Sequence, residues 1–305
     1  MSDSSNGAPG GQAALDQLVS ILDLEELELN LFRGRTPKED RVRVFGGQVA
    51  GQALVAAGRT VERGLVVHSL HSYFLRPGDP SIPIVYQVER LRDGKSFTTR
   101  RATAIQHGQP IFNLSASFQR PEQGIEHQTA MPESPAPETL LTFRQRIDPY
   151  LGRPDLHPEL KKWLQRDRPI DMRYVNPPDY LQPEPGPPHQ QVWIRADGTL
   201  PDEPLLLHQC IVAYASDMTL IDTATLPHAI PWFDPNVQMA SLDHAMWFHR
   251  PFRADEWLLY TQESPTATGA RGFTTGRLYT RAGVLVVSVA QEGLIRKRNG
   301  KKGGR

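Results

Sequence analysis

The pattern aromatic–Phe–x–Arg–Pro occurs twice in this chain, and no other feature limits the accessible folds so tightly. It reads within HSYFLRPGD (71–79) and again within AMWFHRPFR (245–253), setting Phe74 against Phe248 and Pro77 against Pro251 at an offset of 174 residues. Downstream, SFTTRRATAIQHGQPIFNLSAS (96–117) matches GFTTGRLYTRAGVLVVSVAQ (272–291), with Phe97 on Phe273 and Gly108 on Gly283 at offsets of 176 and 175. Matches in one order at nearly constant spacing identify an internal duplication.

Each copy closes with alternating, β-branched stretches joined by HG or AG, the pattern of an antiparallel hairpin. Ahead of the strands lies one long apolar segment, GGQVAGQALVAAGRTV (46–61) or LLLHQCIVAYAS (205–216), whose Ala, Leu and Gln content favours helix. A helix apolar on most faces must be wrapped. Each copy is therefore expected to curl an antiparallel sheet around one central helix, an α+β plan. Between the copies, residues 121–190 hold 14 of the chain's 27 prolines and read as a connector, irregular apart from a short helix within 157–167. The expected organisation is a disordered leader (1–13), a first unit (14–120), a proline-rich linker (121–190), a second unit (191–296) and a flexible basic tail (297–305).

With 34 Lys+Arg against 34 Asp+Glu, charge gives no reason to expect nucleic acid or an anionic membrane as partner. No stretch approaches the roughly 20 apolar residues that span a bilayer. The start, MSDSSNGAPGGQAAL, lacks the plan of a signal peptide, and the terminus GGR is not the Ser-Lys-Leu peroxisomal address. A single cysteine, Cys210, precludes an intrachain disulfide and fits a reducing, cytoplasmic setting. It is expected to pack as a small core residue.

One acid interrupts the oil. In LLLHQCIVAYASDMTLI (205–221), Asp217 separates two apolar runs, and a carboxylate there must be paired, protonated or working. The pair in HSLH, His68 and His71, is not a metal site by this reading: three apart on a strand they face opposite ways, with no further ligand nearby. Gly46 and Gly47 in VFGGQ permit close backbone approach, with substrate contact a second use; the Lys and spacing of a phosphate loop are missing. No G-x-S-x-G elbow of a serine hydrolase is present.

The motifs VFGGQVAGQAL (44–54), HSLHSYFLRPGD (68–79), LHQCIVAYASD (207–217), LDHAMWFHRPF (242–252), ARGF (270–273) and AQEG (290–293) resemble the acyl-CoA thioesterase II family. The resemblance runs from about residue 14 to 296. It implies a double hotdog subunit, two antiparallel sheets each curled around a helix, that hydrolyses medium- to long-chain acyl-CoA without metal, cofactor or covalent intermediate. It also implies a homodimer or higher homo-oligomer. The family's Asp, hydroxyl and Gln, which together hold one water, fall on Asp217, Ser241 and Gln291; the hydroxyl is Ser where Thr is common. Gly46, Gly47 and His71 are the candidate substrate contacts, with the acyl tail expected in an apolar channel at the helix–sheet junction.

These residue types suit the reaction. A thiol of pKa about 8.5 leaves as thiolate, so the scarce element is a positioned nucleophilic water, which one carboxylate can deprotonate and two neutral side chains can orient. In the first copy the trio maps onto Val67 for Ser241, Ala116 for Gln291 and, by a looser helix alignment, Val55 for Asp217, so one working site per chain is expected. Two rivals remain. A hotdog enoyl-CoA hydratase needs a His a few residues after the Asp, and none occurs before His228. A non-catalytic acyl-CoA sensor would have no use for a polar trio in one copy alone.

Overall fold

The computed structural model describes residues 11–37, 42–179, 181–202, 204–231 and 234–298. Its first half contains α1 (Gly11–Leu22), β1 (Glu25–Glu28), β2 (Leu31–Gly34), α2 (Gly46–Arg59), β3 (Val66–Phe74), β4 (Ile84–Asp93), β5 (Phe97–Gln106) and β6 (Gln109–Gln119). Helices α3 (Phe143–Leu151) and α4 (Pro158–Gln165) follow. The second half contains β7 (Ile170–Tyr174), β8 (His189–Ala196), α5 (Leu205–Ser216), β9 (Val237–Ser241), β10 (Asp243–Phe248), β11 (Leu258–Thr268), β12 (Arg271–Thr280) and β13 (Leu285–Lys297).

The duplication is written into the strand order, β1-β2-β4-β5-β6-β3-β10-β13-β12-β11-β8-β7. Read inward from either end, the two halves are the same sequence of pairings. Both expected hairpins form: His107 and Gly108 take positive φ in the β5–β6 turn, and Gly283 does so between β12 and β13. The two sheets, expected as separate, are continuous through β3 and β10, which pair antiparallel from Asp243↔Tyr73 to Trp247↔Ser69. Joining the two open edges satisfies backbone groups that would otherwise face solvent or another chain.

Two helices fill the hollow of this sheet. α2 is buried from Gly47 to Ala57 and α5 from His208 to Ser216, as their nearly uniform apolar character requires. They lie against each other because α2 offers glycine at the contact: a Cβ on Gly47 would stand 2.4 Å from the Tyr214 carbonyl oxygen and one on Gly51 3.2 Å from that of Cys210. The N-terminus of α2 thereby meets the C-terminus of α5.

Several boundaries differ from expectation. α1 begins at Gly11, so residues 11–13 belong to a helix and not to a leader, and β13 runs to Lys297; the rest of the expected leader and the tail from 299 lie outside the described residues. The linker contains the expected helix as α4, but also α3, opened by a capping box between Thr142 and Gln145, and β7, which pairs with β8 and extends the second sheet back to Ile170. Its earlier part is irregular yet anchored: Trp193 Nε1 donates to the Pro135 carbonyl at 2.9 Å, and Gln128 bridges Gly283 and Leu285.

Candidate active site

Asp217 caps the C-terminus of α5 and is buried. A carboxylate at that end of a helix opposes the dipole and needs compensation. The second unit supplies two donors to the same oxygen. Ser241 Oγ, at the end of β9, donates to Asp217 Oδ1 at 2.9 Å, and Gln291 Nε2, on β13, donates to it at 2.6 Å. β9 pairs with β13 through Ser241↔Gly293, which brings the second donor beside the first. Gln291 is fully buried, and its Oε1 has no hydrogen-bond partner.

The first unit supplies the third element. A Cβ on Gly46 would lie 2.7 Å from Asp217 Oδ2 and 2.7 Å from the Phe74 ring, so only glycine lets the start of α2 come this close. The Gly47 backbone N–H faces the carboxylate and favours its charged form. Both glycines named from sequence thus lie at the site, in contact with Asp217 itself. Burial raises the Asp217 pKa to about 6; the bonds from Gln291 and Ser241, the Gly47 amide and the charge of Arg43 all act in the opposite direction. The result is a carboxylate poised to exchange a proton near neutrality.

His71 is not part of this cluster. A bulge between Val67 and Ser69 inserts one residue into β3, so His68 and His71 emerge on the same face of the sheet, the face turned away from the helices. There His68 meets Phe97 and Ser117, and His71 stands edge-on to Trp247 at 5.3 Å, exposed. Period-two reasoning failed at this bulge, and His71 faces away from the helix that carries Asp217. Among the described residues, no three His, Cys, Asp or Glu gather as a metal site would require.

A second polar pair lies close by. Ser216 Oγ meets His244 Nε2 at 2.8 Å, which resembles two-thirds of a hydrolytic triad. Ser216 is fully buried and donates to the Ala213 carbonyl, while His244 Nδ1 has no carboxylate partner, and burial lowers its pKa to about 4. The pair fastens α5 to β10 and presents no nucleophile.

The first copy shows what the fold does without the trio. Val67 and Ala116 occupy the places of Ser241 and Gln291, as expected: Ala116 pairs with Arg100 where Gln291 pairs with Thr274. The place of Asp217 falls elsewhere. Val55 lies inside α2, and the residue capping that helix is Thr60. Arg100, fully buried, donates from Nε to Thr60 Oγ1 at 2.9 Å and from Nη2 to the Thr60 carbonyl at 3.0 Å, and also pairs with Asp93. A guanidinium therefore binds the C-cap of α2, where the second copy has Asp217 at the C-cap of α5.

A cavity of mixed lining lies next to Met218 and Met239, with Arg146, Arg168, Asp179, Glu184 and Asp222 among its apolar residues. Met218 follows Asp217 directly, and Met239 shares a face of β9 with Ser241; the two join Phe143, Trp163 and Met172 in its wall. It lies between the linker helices and the 3-10 turn Ile221–Ala224, not at the helix–sheet junction expected from sequence. The linker, read as a mere connector, forms one side of it.

Comparison with known proteins identifies the family and the fold. The family model described as acyl-CoA thioesterase matches residues 164–294, and that of the acyl-CoA thioesterase N-terminal domain matches 35–119. Acyl-coenzyme A thioesterase 8 of Mus musculus is 46% identical over 302 residues, spanning 96% of this chain and 93% of its own. The crystal structure of acyl-CoA thioesterase II TesB2 from Mycobacterium marinum superposes with a TM-score of 0.74 at 48% identity, over 93% of this chain and 99% of that one. A hot dog fold protein from Alicyclobacillus acidocaldarius, 18% identical, shares the fold with a TM-score of 0.73, over 93% of this chain and 99% of its own. With the same two-part organisation, near-complete coverage and close to half of its residues shared with the thioesterases of Mus musculus and Mycobacterium marinum, the chain belongs to the acyl-CoA thioesterase family.

Proposed function

We propose that the protein hydrolyses acyl-CoA thioesters by direct attack of a water held among Asp217, Ser241 and Gln291. One observation carries this reading: Asp217 Oδ1 accepts from both Ser241 and Gln291, while Gln291 Oε1 is buried with an unused acceptor in the same cluster. A water bound there would donate to Asp217 and to Gln291 Oε1, leaving a lone pair for the thioester carbon. Asp217 takes its proton as the tetrahedral intermediate forms. The oxyanion is met by first-turn N–H groups of α2, whose N-cap, Phe45, offers no competing side-chain acceptor. Collapse expels the thiolate, and Asp217 can return the proton to it.

The acyl tail, of medium to long length, lies along the apolar part of the cavity beside Met218 and Met239, past Phe143, Trp163 and Met172. The CoA moiety stays towards solvent. Asp217 makes its hydrogen bonds to Ser241 and Gln291, and His228 is exposed, so an Asp–His hydratase pair has no support in the site. Cys210 sits within the core with its thiol pKa pushed well up by burial, which suits a reducing cytoplasm and leaves it no catalytic part. A second copy of the chain is the partner expected, through the outer face carrying Tyr73, Phe97 and Trp247. Among the described residues no helix is long and apolar enough to cross a membrane.

The test is thiol release from acyl-CoA of increasing chain length. Turnover rising towards medium or long chains supports the reading. Hydration of an enoyl-CoA without thiol release, or tight acyl-CoA binding with neither, would replace it with one of the two rivals.

A further inference from the structure

We propose that the consecutive residues Asp243 and His244 are positioning residues for hydrolysis, Asp243 holding Gln291 in place and His244 holding Asp217. The inference rests on the reading that Asp217, Ser241 and Gln291 hold the attacking water.

Both residues lie just past Ser241, at the corner where β9 ends and β10 begins. β13 runs opposite the two strands, pairing with β10 as far as Ala290 and with β9 from Gly293 onward. Gln291 and Glu292 fall between these ladders, and the corner supplies what the ladders do not. The Glu292 carbonyl accepts from the Leu242 N–H at 2.9 Å, and the Glu292 N–H donates to Asp243 Oδ1 at 2.7 Å. A side-chain oxygen thus stands in for a strand carbonyl beside Gln291, the residue whose Nε2 reaches Asp217 at 2.6 Å.

His244 acts on the other partner. Fully buried, it places Nε2 2.8 Å from Oγ of Ser216, the residue before Asp217. Ser216 has one hydroxyl proton and donates it to the Ala213 carbonyl, so Nε2 carries the hydrogen and donates. The Ser216 carbonyl accepts in turn from the Tyr260 hydroxyl at 3.2 Å. The last residue of α5 is therefore fastened by side chain and by backbone, and Asp217 follows it directly at the C-cap. His244 is itself held, because Ser72 Oγ donates to its carbonyl at 2.7 Å. Burial lowers its pKa to about 4, so at neutral pH it contributes geometry and no charge.

The stretch 241–244 thus grips the helix end at two adjacent residues, Asp217 through Ser241 and Ser216 through His244. One bond would leave the helix end free to turn about it; two fix it. Such fixing matters here because a single oxygen, Asp217 Oδ1, must meet both donors at once.

The experiment measures kcat and KM for dodecanoyl-CoA by thiol release in the full chain. Asp243→Ala and His244→Met are each expected to lower kcat by about tenfold to a hundredfold, with KM changed by less than about twofold. Asp243→Asn keeps the acceptor and His244→Gln keeps a donor near the place of Nε2, so both should restore most of the loss. Ser216→Ala cuts the His244 link from its other end with little change of volume, and should match His244→Met. Mutant cycles then trace the route: Asp243→Ala should add nothing to Gln291→Ala, and His244→Met nothing to Asp217→Asn. Wild-type kcat in Asp243→Ala or Ser216→Ala, conservative variants as impaired as the disruptive ones, or losses that multiply in the cycles overturn the inference and leave hydrolysis intact. Full turnover by Asp217→Asn and Gln291→Ala would instead overturn the function on which it rests.

Discussion

Replacing Asp217 by Asn should cripple turnover and, at neutral pH, stabilise the protein. The side chain keeps its shape, and its oxygen can still accept from Ser241 and Gln291, so the local hydrogen bonds survive. What is lost is the base, and a positioned general base contributes on the order of 10²–10⁴-fold. What is also lost is a buried charge. The folded-state pKa of about 6 lies above the ordinary value of 3.8, so between these pH values the folded protein binds the proton more tightly than the unfolded chain does. Stability contributed by this group therefore falls as pH rises from about 4 to about 6 and stays low above that. The shift corresponds to roughly 3 kcal/mol at pH 8 and to nothing at pH 3. Asp217→Asn should raise the melting temperature by several degrees at pH 8, with the difference from wild type vanishing near pH 3. Thermal denaturation across that range, beside thiol-release kinetics, reads both effects. A variant destabilised at every pH would refute the account of a strained carboxylate; one with wild-type turnover would refute its role.

In the wild-type protein, kcat/KM should rise with pH through a single inflection near 6, as Asp217 loses its proton; a flat profile down to pH 5 would exclude it as the base. Gln291→Glu places a second acid within 2.6 Å of Asp217, and like charges should move that inflection upward and cut activity at pH 7 by about tenfold or more. Gly46→Ala brings a methyl group to 2.7 Å from Asp217 Oδ2 and from Phe74, and should lower kcat by about an order of magnitude or more with a smaller effect on KM.

How much of this was legible beforehand differs from element to element. Asp217 stood out because a charge ends an otherwise uninterrupted apolar run, and the burial that raised the question also gives the carboxylate its shifted pKa. The repeat foretold the mirrored strand order, since each copy carried its own alternation and turn residues. The joining of the sheets was not legible, because edge pairing of β3 with β10 depends on how two finished units meet. Nor was the bulge at His68, which adds a residue without disturbing composition. Arg100 left a trace that went unused: it shares the buried face of β5 with Ala102 and Ala104, where an arginine needs partners, and those partners mark the C-cap of α2, the counterpart of Asp217's place on α5. Nor was the cavity legible, because its far wall is built by residues of the linker, distant in sequence from Met218 and Met239.

The central claim, that water and not a side chain attacks the thioester, is tested by one turnover in H₂¹⁸O with enzyme in excess. Direct attack puts ¹⁸O into the released fatty acid and leaves the peptide containing Asp217 unlabelled. Label appearing in the Asp217 carboxylate, with the first fatty acid released unlabelled, would mean that the carboxylate itself had attacked, and would contradict the account.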